Sequence, residues 1–149
     1  MRTDLISLLH GAEPVAAVVG RHSRHNSPLI SWVTRPNAEA LPAITLSLVS
    51  LPERTEQRGR SLMDLARVQI DIFANSVTEI DVAQRAVRDF LTPPRAPFKK
   101  ITHGSTTFVR FALESMRDLP VDDLPGGERV YHSSQDYMIY FTEAASSSE

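Results

Sequence analysis

Hydrophobic and polar residues alternate over residues 66–74, which read ARVQIDIFA. A period of two residues is typical of a β-strand that has one buried and one exposed face. One side of this predicted strand consists of small and branched apolar residues, namely Val68, Ile70, Ile72 and Ala74. The opposite side consists of Arg67, Gln69, Asp71 and Phe73. Phe73 is the large apolar residue among polar neighbours, so we predict that it contacts a partner.

After this strand, the apolar spacing changes to that of a helix. Ser76 and Glu79 form the S-x-x-E pattern of a capping box, which satisfies free backbone N–H groups where a helix begins. Apolar residues then recur at helical spacing, at Ile80, Ala83, Val87, Phe90 and Leu91. The pattern predicts one long amphipathic helix, which ends before the TPPRAP sequence of residues 92–97.

Weaker patterns predict the other elements. Two short N-terminal helices are expected, the first capped by Thr3 and closed by Gly11, the second over residues 14–19. Further strands are predicted over residues 30–34, 43–50, 107–116 and 129–142, with Val109, Phe111 and Leu113 facing inward in the third of these. Residues 118–127 (DLPVDDLPGG) are predicted to form a turn-rich loop with an acidic centre.

Together these elements predict an α+β fold. It has a mostly antiparallel β-sheet with one long amphipathic helix packed on one face, short N-terminal helices and a protruding β-hairpin. We expect a single domain over residues 1–142 and a flexible C-terminal tail over residues 143–149.

The protruding hairpin is predicted from the charged segment of residues 51–62, which joins two predicted strands. Arg54, Arg58 and Arg60 lie in this segment, with glutamates between and before them. Mixed charges suit a salt-bridged protein contact more than a track of phosphate contacts. A solvated, solubilising ribbon remains the alternative to an assembly contact.

Composition indicates an ordinary soluble globular protein. The chain has 149 residues, 42% of them hydrophobic and 23% charged. A net charge of −2 does not favour a general nucleic-acid-binding module. The chain has no cysteine, which excludes disulfides and thiolate metal sites. No apolar run is long enough to span a membrane, and the N-terminus does not have the pattern of a signal peptide.

The sequence predicts no catalytic, cofactor-binding or metal site. The glycine-rich phosphate-binding motifs and the GxSxG nucleophile motif are absent. His132, Ser134 and Asp136 are the residue types of a catalytic triad, but on one face of a strand their fixed separations do not build one. His22 and His25 have HxxH spacing without a third ligand nearby in the sequence. A small hydrolase or isomerase on an α+β scaffold is the enzymatic alternative.

The order of these elements resembles the tail-completion or tail-terminator family of long-tailed bacteriophages, prophages and gene transfer agents. The resemblance covers residues 3–142. It depends on a leucine-rich opening helix (LISLLHGAEPVAAVVG) and a strand with a leading proline (LPAITLSLVS). The most specific part is the strand RVQIDIFA with the helix EIDVAQRAVRDFL, and a closing strand, SSQDYMIYF, completes the pattern.

The resemblance implies a structural protein of the virion rather than an enzyme, with no cofactor and no membrane partner. Members of the family form a homo-oligomeric ring, usually six-fold, on the head-proximal end of the tail tube. The ring stops tube polymerisation, contacts the neck or head connector proteins and lets DNA pass through its lumen. Assembly in the host cytoplasm is implied. A head-side connector protein of the neck, a stopper or an adaptor, is the alternative.

A closed ring needs a heterologous interface, in which one patch meets a different patch of the neighbouring subunit. We expect the interface to involve the charged hairpin, the acidic loop and outward-facing apolar residues near the C-terminus. The candidate interface residues are Arg54, Arg58, Arg60, Phe73, Asp122, Asp123, Met138 and Tyr140.

Overall fold

The computed structural model describes residues 1–21, 27–32, 42–50, 55–56, 59–60, 63–123 and 129–144. The helices are α1 (Arg2–Gly11), α2 (Glu13–Ala16) and α3 (Val77–Leu91). The strands are β1 (Ile30–Trp32), β2 (Ala43–Ser50), β3 (Thr55–Glu56), β4 (Gly59–Arg60), β5 (Asp64–Ala74), β6 (Ile101–His103), β7 (Thr106–Asp123) and β8 (Arg129–Glu143). No helix in these ranges is long and apolar enough to cross a membrane.

Six of the strands form one sheet in the order β1-β2-β5-β8-β7-β6. β1 pairs with β2 in parallel, and the other neighbours in this sheet pair antiparallel. β3 and β4, which follow β2 and precede β5 in the sequence, form a separate two-stranded antiparallel ribbon. The predicted combination of helices with a mostly β structure is therefore confirmed.

One face of the sheet forms the hydrophobic core with the helices. The alternation predicted for β5 is confirmed, because Val68, Ile70 and Ile72 are almost completely buried. Their ladder partners on β8 include Tyr137, and Ile139 and Phe141 continue the same face. Buried residues of α1, α2 and α3 belong to the same cluster. The helices therefore cover one face, which we call the helix face.

α3 begins at the predicted cap. The Oγ atom of Ser76 accepts the backbone N–H of Glu79 at 3.2 Å. The Glu79 side chain reaches back, but it accepts the N–H of Asn75 at 2.9 Å rather than that of Ser76. The bond from the Glu79 side chain is therefore made one residue before the position that a standard capping box uses. Both bonds still stabilise the start of the helix.

The predicted boundaries at the N-terminus are partly wrong. α1 begins directly after Met1 without a side-chain cap, so Thr3 lies inside the helix and does not cap it. α2 ends at Ala16, and Pro14 occupies its first turn as predicted. The first turn of α1 can form without a cap because its buried leucines hold it against the core.

β7 differs most from the sequence prediction. The acidic segment was expected to be a loop from residue 118, but β7 continues to Asp123, which pairs with Arg129. Pairing with β8 thus overrides the turn propensity of this segment. A bulge between Leu119 and Asp122 contains Pro120, which lacks a backbone donor and is tolerated at such a bulge.

A second bulge in β7 changes which residues face the core. The ladder shifts between Phe108 and Arg110, so Phe108 and Phe111 are buried while Val109 is only half-buried. The predicted inward orientation of Val109 is therefore wrong. A strict period of two could not reveal the bulge, because one extra residue reverses the alternation.

β6 was not predicted, and a tight turn joins it to β7. Gly104 has a φ of 63°, in the left-handed region that favours glycine. A Cβ atom at this position would overlap the carboxylate of Asp4 in α1. That carboxylate accepts hydrogen bonds from the Thr106 hydroxyl at 2.6 Å and the Ser105 hydroxyl at 3.4 Å. These bonds attach α1 to the β6–β7 turn.

Candidate functional site

The side of the sheet opposite the helix face is the first candidate site. We call it the open face, because none of its residues belongs to the hydrophobic cluster that contains the helices of the described chain. β5 and β8 form its centre, and their ladder pairs are Arg67 with Met138, Gln69 with Asp136, Asp71 with Ser134, and Phe73 with His132. The two strands therefore present a mainly polar surface with a few large apolar side chains.

Three predicted interface residues lie on the open face. The Phe73 ring stacks on the ring of His132, with the centroids 4.2 Å apart. Tyr140 lies beneath the guanidinium of Arg110, 5.6 Å from the ring centroid, in a cation–π arrangement. Met138 is half-buried beside these groups. The structure thus places Phe73, Met138 and Tyr140 outside the core, while their contact with a partner stays a prediction.

Polar side chains fill the space between these apolar residues. Gln69 donates through Nε2 to both carboxylate oxygens of Asp71, at 3.0 Å each. The Ser115 hydroxyl donates to Oδ2 of Asp136 at 3.0 Å, and Arg67 approaches the same oxygen at 3.8 Å. The open face therefore contains two carboxylates that are each held by neighbouring donors.

Several buried polar atoms of this surface have no hydrogen-bond partner among the residues that the structure describes. They are Nε of Arg67, Oγ of Ser134 and Oδ1 of Asp136. Nε2 of His132 also makes no hydrogen bond of good geometry, but it lies 3.3 Å from Oδ1 of Asp71. Ser134 and Asp136 are only 2% and 8% exposed, so water reaches them poorly. A buried polar group without a partner is costly, and such groups are rare in folded proteins.

The triad residue types do not form a catalytic relay here. His132 lies 3.3 Å from Oδ1 of Asp71 rather than next to Asp136. The Ser134 hydroxyl makes no hydrogen bond within the described part of the chain. Nucleophilic catalysis would need the serine and the histidine in hydrogen-bond contact. Among the described residues, no three His, Cys, Asp or Glu side chains are close enough to hold a metal ion.

A groove between α3 and β7 is the second candidate site. Its volume is about 890 Å³, and α3 forms one wall while β7 forms the other. Its charged lining residues are Asp81, Arg85, Arg88, Asp89 and Arg110. Phe111, Leu113 and Met116 supply the apolar part of the lining. Mixed charges around an apolar strip suit a peptide segment better than a single anionic ligand.

A buried polar chain lies beneath this groove. The Tyr137 hydroxyl donates to Oε1 of Gln135 at 2.9 Å, and Nε2 of Gln135 lies 3.4 Å from the backbone oxygen of Gln84. Gln84 in turn contacts the hydroxyl of Ser133. Burial raises the pKa of Tyr137, so it acts here as a neutral donor. Sequence reasoning missed this set, because a glutamine in a strand gives no signal that it is buried.

The charged interface candidates are only partly placed. Arg54 and Arg58 lie outside the described residues. Arg60 belongs to β4, and the backbone pairing of β3 and β4 forms a short ribbon within the predicted hairpin segment. Asp122 and Asp123 lie in β7 rather than in a loop, so the predicted acidic loop is wrong for these two residues. The contact roles of all five residues stay predictions.

Comparisons with known proteins show similarity at the level of the fold. No protein-family model matches the chain, and no curated protein matches it. A solved structure described as the virion of a native gene transfer agent particle contains a chain with the same fold, with a TM-score of 0.66 and 11% sequence identity. The match covers 95% of this chain and 94% of that one. At this identity, the finding shows a shared fold over nearly the whole chain.

Proposed function

We propose that this protein is a structural component of a phage-like virion. In this proposal it forms a ring, a hexamer by the family resemblance, on the head-proximal end of the tail tube. The ring ends tube polymerisation and joins the tail to the head connector. It has no catalytic activity and needs no cofactor.

One observation supports the proposal most: the fold matches a chain of a gene transfer agent virion over 95% of this sequence. The character of the surfaces agrees with an assembly role. The open face combines half-buried aromatic residues, Phe73 and Tyr140, with half-buried polar side chains such as Gln69 and Asp71. Interfaces between subunits commonly contain such aromatic anchors surrounded by polar groups.

Removal of the gene from the strain that produces the particles tests the proposal. If the protein ends tube polymerisation, electron micrographs should show tubes of abnormal length and filled heads without tails. Supplying the intact gene in trans should restore uniform tails. Particles of normal length and composition from the deleted strain would contradict the proposal.

The same experiment separates the alternative, a head-side connector protein. Loss of a connector should leave tails of uniform length, because the tube end is still capped. The heads should then lose their DNA or fail to join these tails. Isolation of the protein with heads rather than with free tails would support this alternative.

A further inference from the structure

The outer side of β7 is unpaired over most of the strand. β6 pairs only with Thr106, Thr107 and Phe108, and residues 92–100, which precede β6, form no strand. Beyond Phe108, β7 therefore has no described strand on this side. Residues 114–118 are exposed at five consecutive positions. Such an edge presents backbone N–H and C=O groups to another chain.

The groove between α3 and β7 runs alongside this edge. β7 lines it with four consecutive residues, 110–113, and with Met116. Because consecutive residues of a strand point to opposite faces, a groove that touches all four lies beside the strand and not over one face. On the α3 wall, the lining residues extend from Asp81 to Thr92, about 16 Å along the helix axis. This length accommodates about five residues of extended chain.

Apolar side chains of β7 line the groove on the helix face. They are Phe111, Leu113 and Met116. Phe111 is buried, Leu113 is half-buried and Met116 is 47% exposed, so the apolar strip becomes more open along the strand. Side chains of an added strand alternate between the two faces of the sheet. Every second side chain would therefore enter the groove and contact this strip, as in peptide recognition by strand addition.

Positive charge is concentrated around the groove. Residues 85–117 contain seven Arg or Lys and two Asp or Glu, although the whole chain has two more acidic than basic residues. All seven basic residues are exposed, and they are Arg85, Arg88, Arg95, Lys99, Lys100, Arg110 and Arg117. Within the described part of the chain, none of them forms an ion pair with a carboxylate. Arg85, Arg88 and Arg110 line the groove itself, which therefore attracts an acidic partner.

This surface is better suited to a polypeptide than to a nucleic acid. Asp81 and Asp89 also line the groove, where they would repel a phosphate backbone. A peptide can place its carboxylates opposite the arginines and its apolar side chains on the apolar strip. It also supplies backbone groups for the edge of β7, which a nucleic acid does not have.

The described strands of a second copy do not match this surface. β5 and β8 are paired on both sides, β3 and β4 have two residues each, and β1, β2 and β6 contain no acidic residue. Pairing of β7 with β7 of a second copy would bring two basic surfaces together, which the repulsion of like charges opposes. The segment that fits is therefore expected on a different polypeptide.

We infer that the β7 edge and the adjoining groove bind an extended, acidic segment of another protein, which adds to the sheet as a strand. Apolar side chains of this segment enter the groove at alternate positions, and its carboxylates face Arg85, Arg88 and Arg110. This binding mode goes beyond the proposed ring, and it follows from the geometry and charge of this surface alone.

Selection from a library of short random peptides displayed on phage tests the inference with the purified full-length protein. The selected peptides should be enriched in Asp and Glu that alternate with apolar residues. Arg88→Glu should weaken binding of the selected peptide about tenfold, because it replaces an attraction by a repulsion. Arg2→Glu is the matched control, since it makes the same charge change at an exposed position beside Trp32 and not in the groove. It should leave the affinity unchanged.

Backbone N-methylation of the selected peptide tests strand addition separately. In a strand, the N–H groups that point to one neighbouring strand belong to alternate residues. Methylation of one alternate set should abolish binding, and methylation of the other set should leave it intact. Equal losses from both sets would contradict strand addition.

Other results would also overturn the inference. They are selected peptides without acidic enrichment, an affinity that Arg88→Glu does not change, and failure to select any peptide. Self-association that Arg88→Glu abolishes, without peptide binding, would assign the surface to a second copy. Binding of duplex DNA that Arg88→Glu abolishes, again without peptide binding, would assign it to nucleic acid. If the peptides bind as expected but the deleted strain makes normal tails, the binding mode stands and the proposed function fails.

Discussion

At the scale of single residues, Asp4 shows how a local polar contact fixes the arrangement of distant segments. Its carboxylate accepts hydrogen bonds from Thr106 and Ser105, about a hundred positions away in sequence. The hydrogen bond from the Thr106 side chain is the main reason that the pKa of Asp4 is lowered. Nothing in the sequence around Asp4 predicts this contact, because the partners become neighbours only after the sheet has formed.

We expect Asp4→Asn to destabilise the protein in a pH-dependent way. The folded state holds the pKa of Asp4 below its unfolded-state value, so its stabilisation is fully present above the unfolded-state pKa. That stabilisation is lost as the pH falls through the folded-state pKa. The difference in free energy of unfolding between wild type and Asp4→Asn should thus be larger at about pH 7 than at about pH 3.

Urea denaturation at both pH values measures this difference. Thr106→Val serves as the partner variant, because it removes the hydroxyl donor while keeping the side-chain shape. In the Thr106→Val background, the pH dependence of the Asp4→Asn effect should be weaker. An equal Asp4→Asn effect at both pH values would show that the hydrogen bond does not couple Asp4 ionisation to folding.

At the scale of elements, local sequence patterns predicted where a helix begins and which face of a strand is buried. They predicted the length of an element less well. The Ser76 cap and the alternation of β5 are short-range patterns, and both are present in the structure. β7 was predicted too short, because Pro120 and the acidic residues near it favour a turn when considered alone. Pairing with β8 decides the outcome there, and that pairing depends on residues that follow later in the chain.

Ser76→Ala should destabilise the protein by about 1 kcal/mol, because it removes the side-chain acceptor at the start of α3. Chemical denaturation gives the change in the free energy of unfolding. Thr78→Ala is a matched control, since Thr78 is exposed in the first turn of the same helix and is not the N-cap. Equal effects of the two substitutions would mean that the cap contributes nothing beyond helix propensity.

At the scale of the whole molecule, one hydrophobic cluster joins all three helices to the large sheet. The sequence was sufficient to predict a fold that combines helices with a β-sheet, because the spacing of apolar residues differs between strands and helices. It could not reveal the groove between α3 and β7 or the polar atoms of the open face. Those features depend on which strands become neighbours, and β5 lies between β2 and β8 only in the folded sheet.

A single cluster predicts that the protein unfolds in one cooperative transition. The chain has one tryptophan, Trp32, which lies in the edge strand β1 beneath the guanidinium of Arg2. Its fluorescence reports on the end of the sheet near α1, while far-UV circular dichroism reports on the whole sheet. The two denaturation midpoints should coincide. An earlier midpoint for the fluorescence would show that this end unfolds independently.

The turn at Gly104 has a consequence for the evolution of this fold. Glycine is required there twice, once by the positive φ angle and once because the Asp4 carboxylate occupies the space of a Cβ atom. The two positions should therefore vary together across sequences that adopt the same fold. Where a larger residue replaces the glycine, the acid in the first helix should be replaced by a shorter side chain. An alignment of such sequences could then locate this turn without any structure.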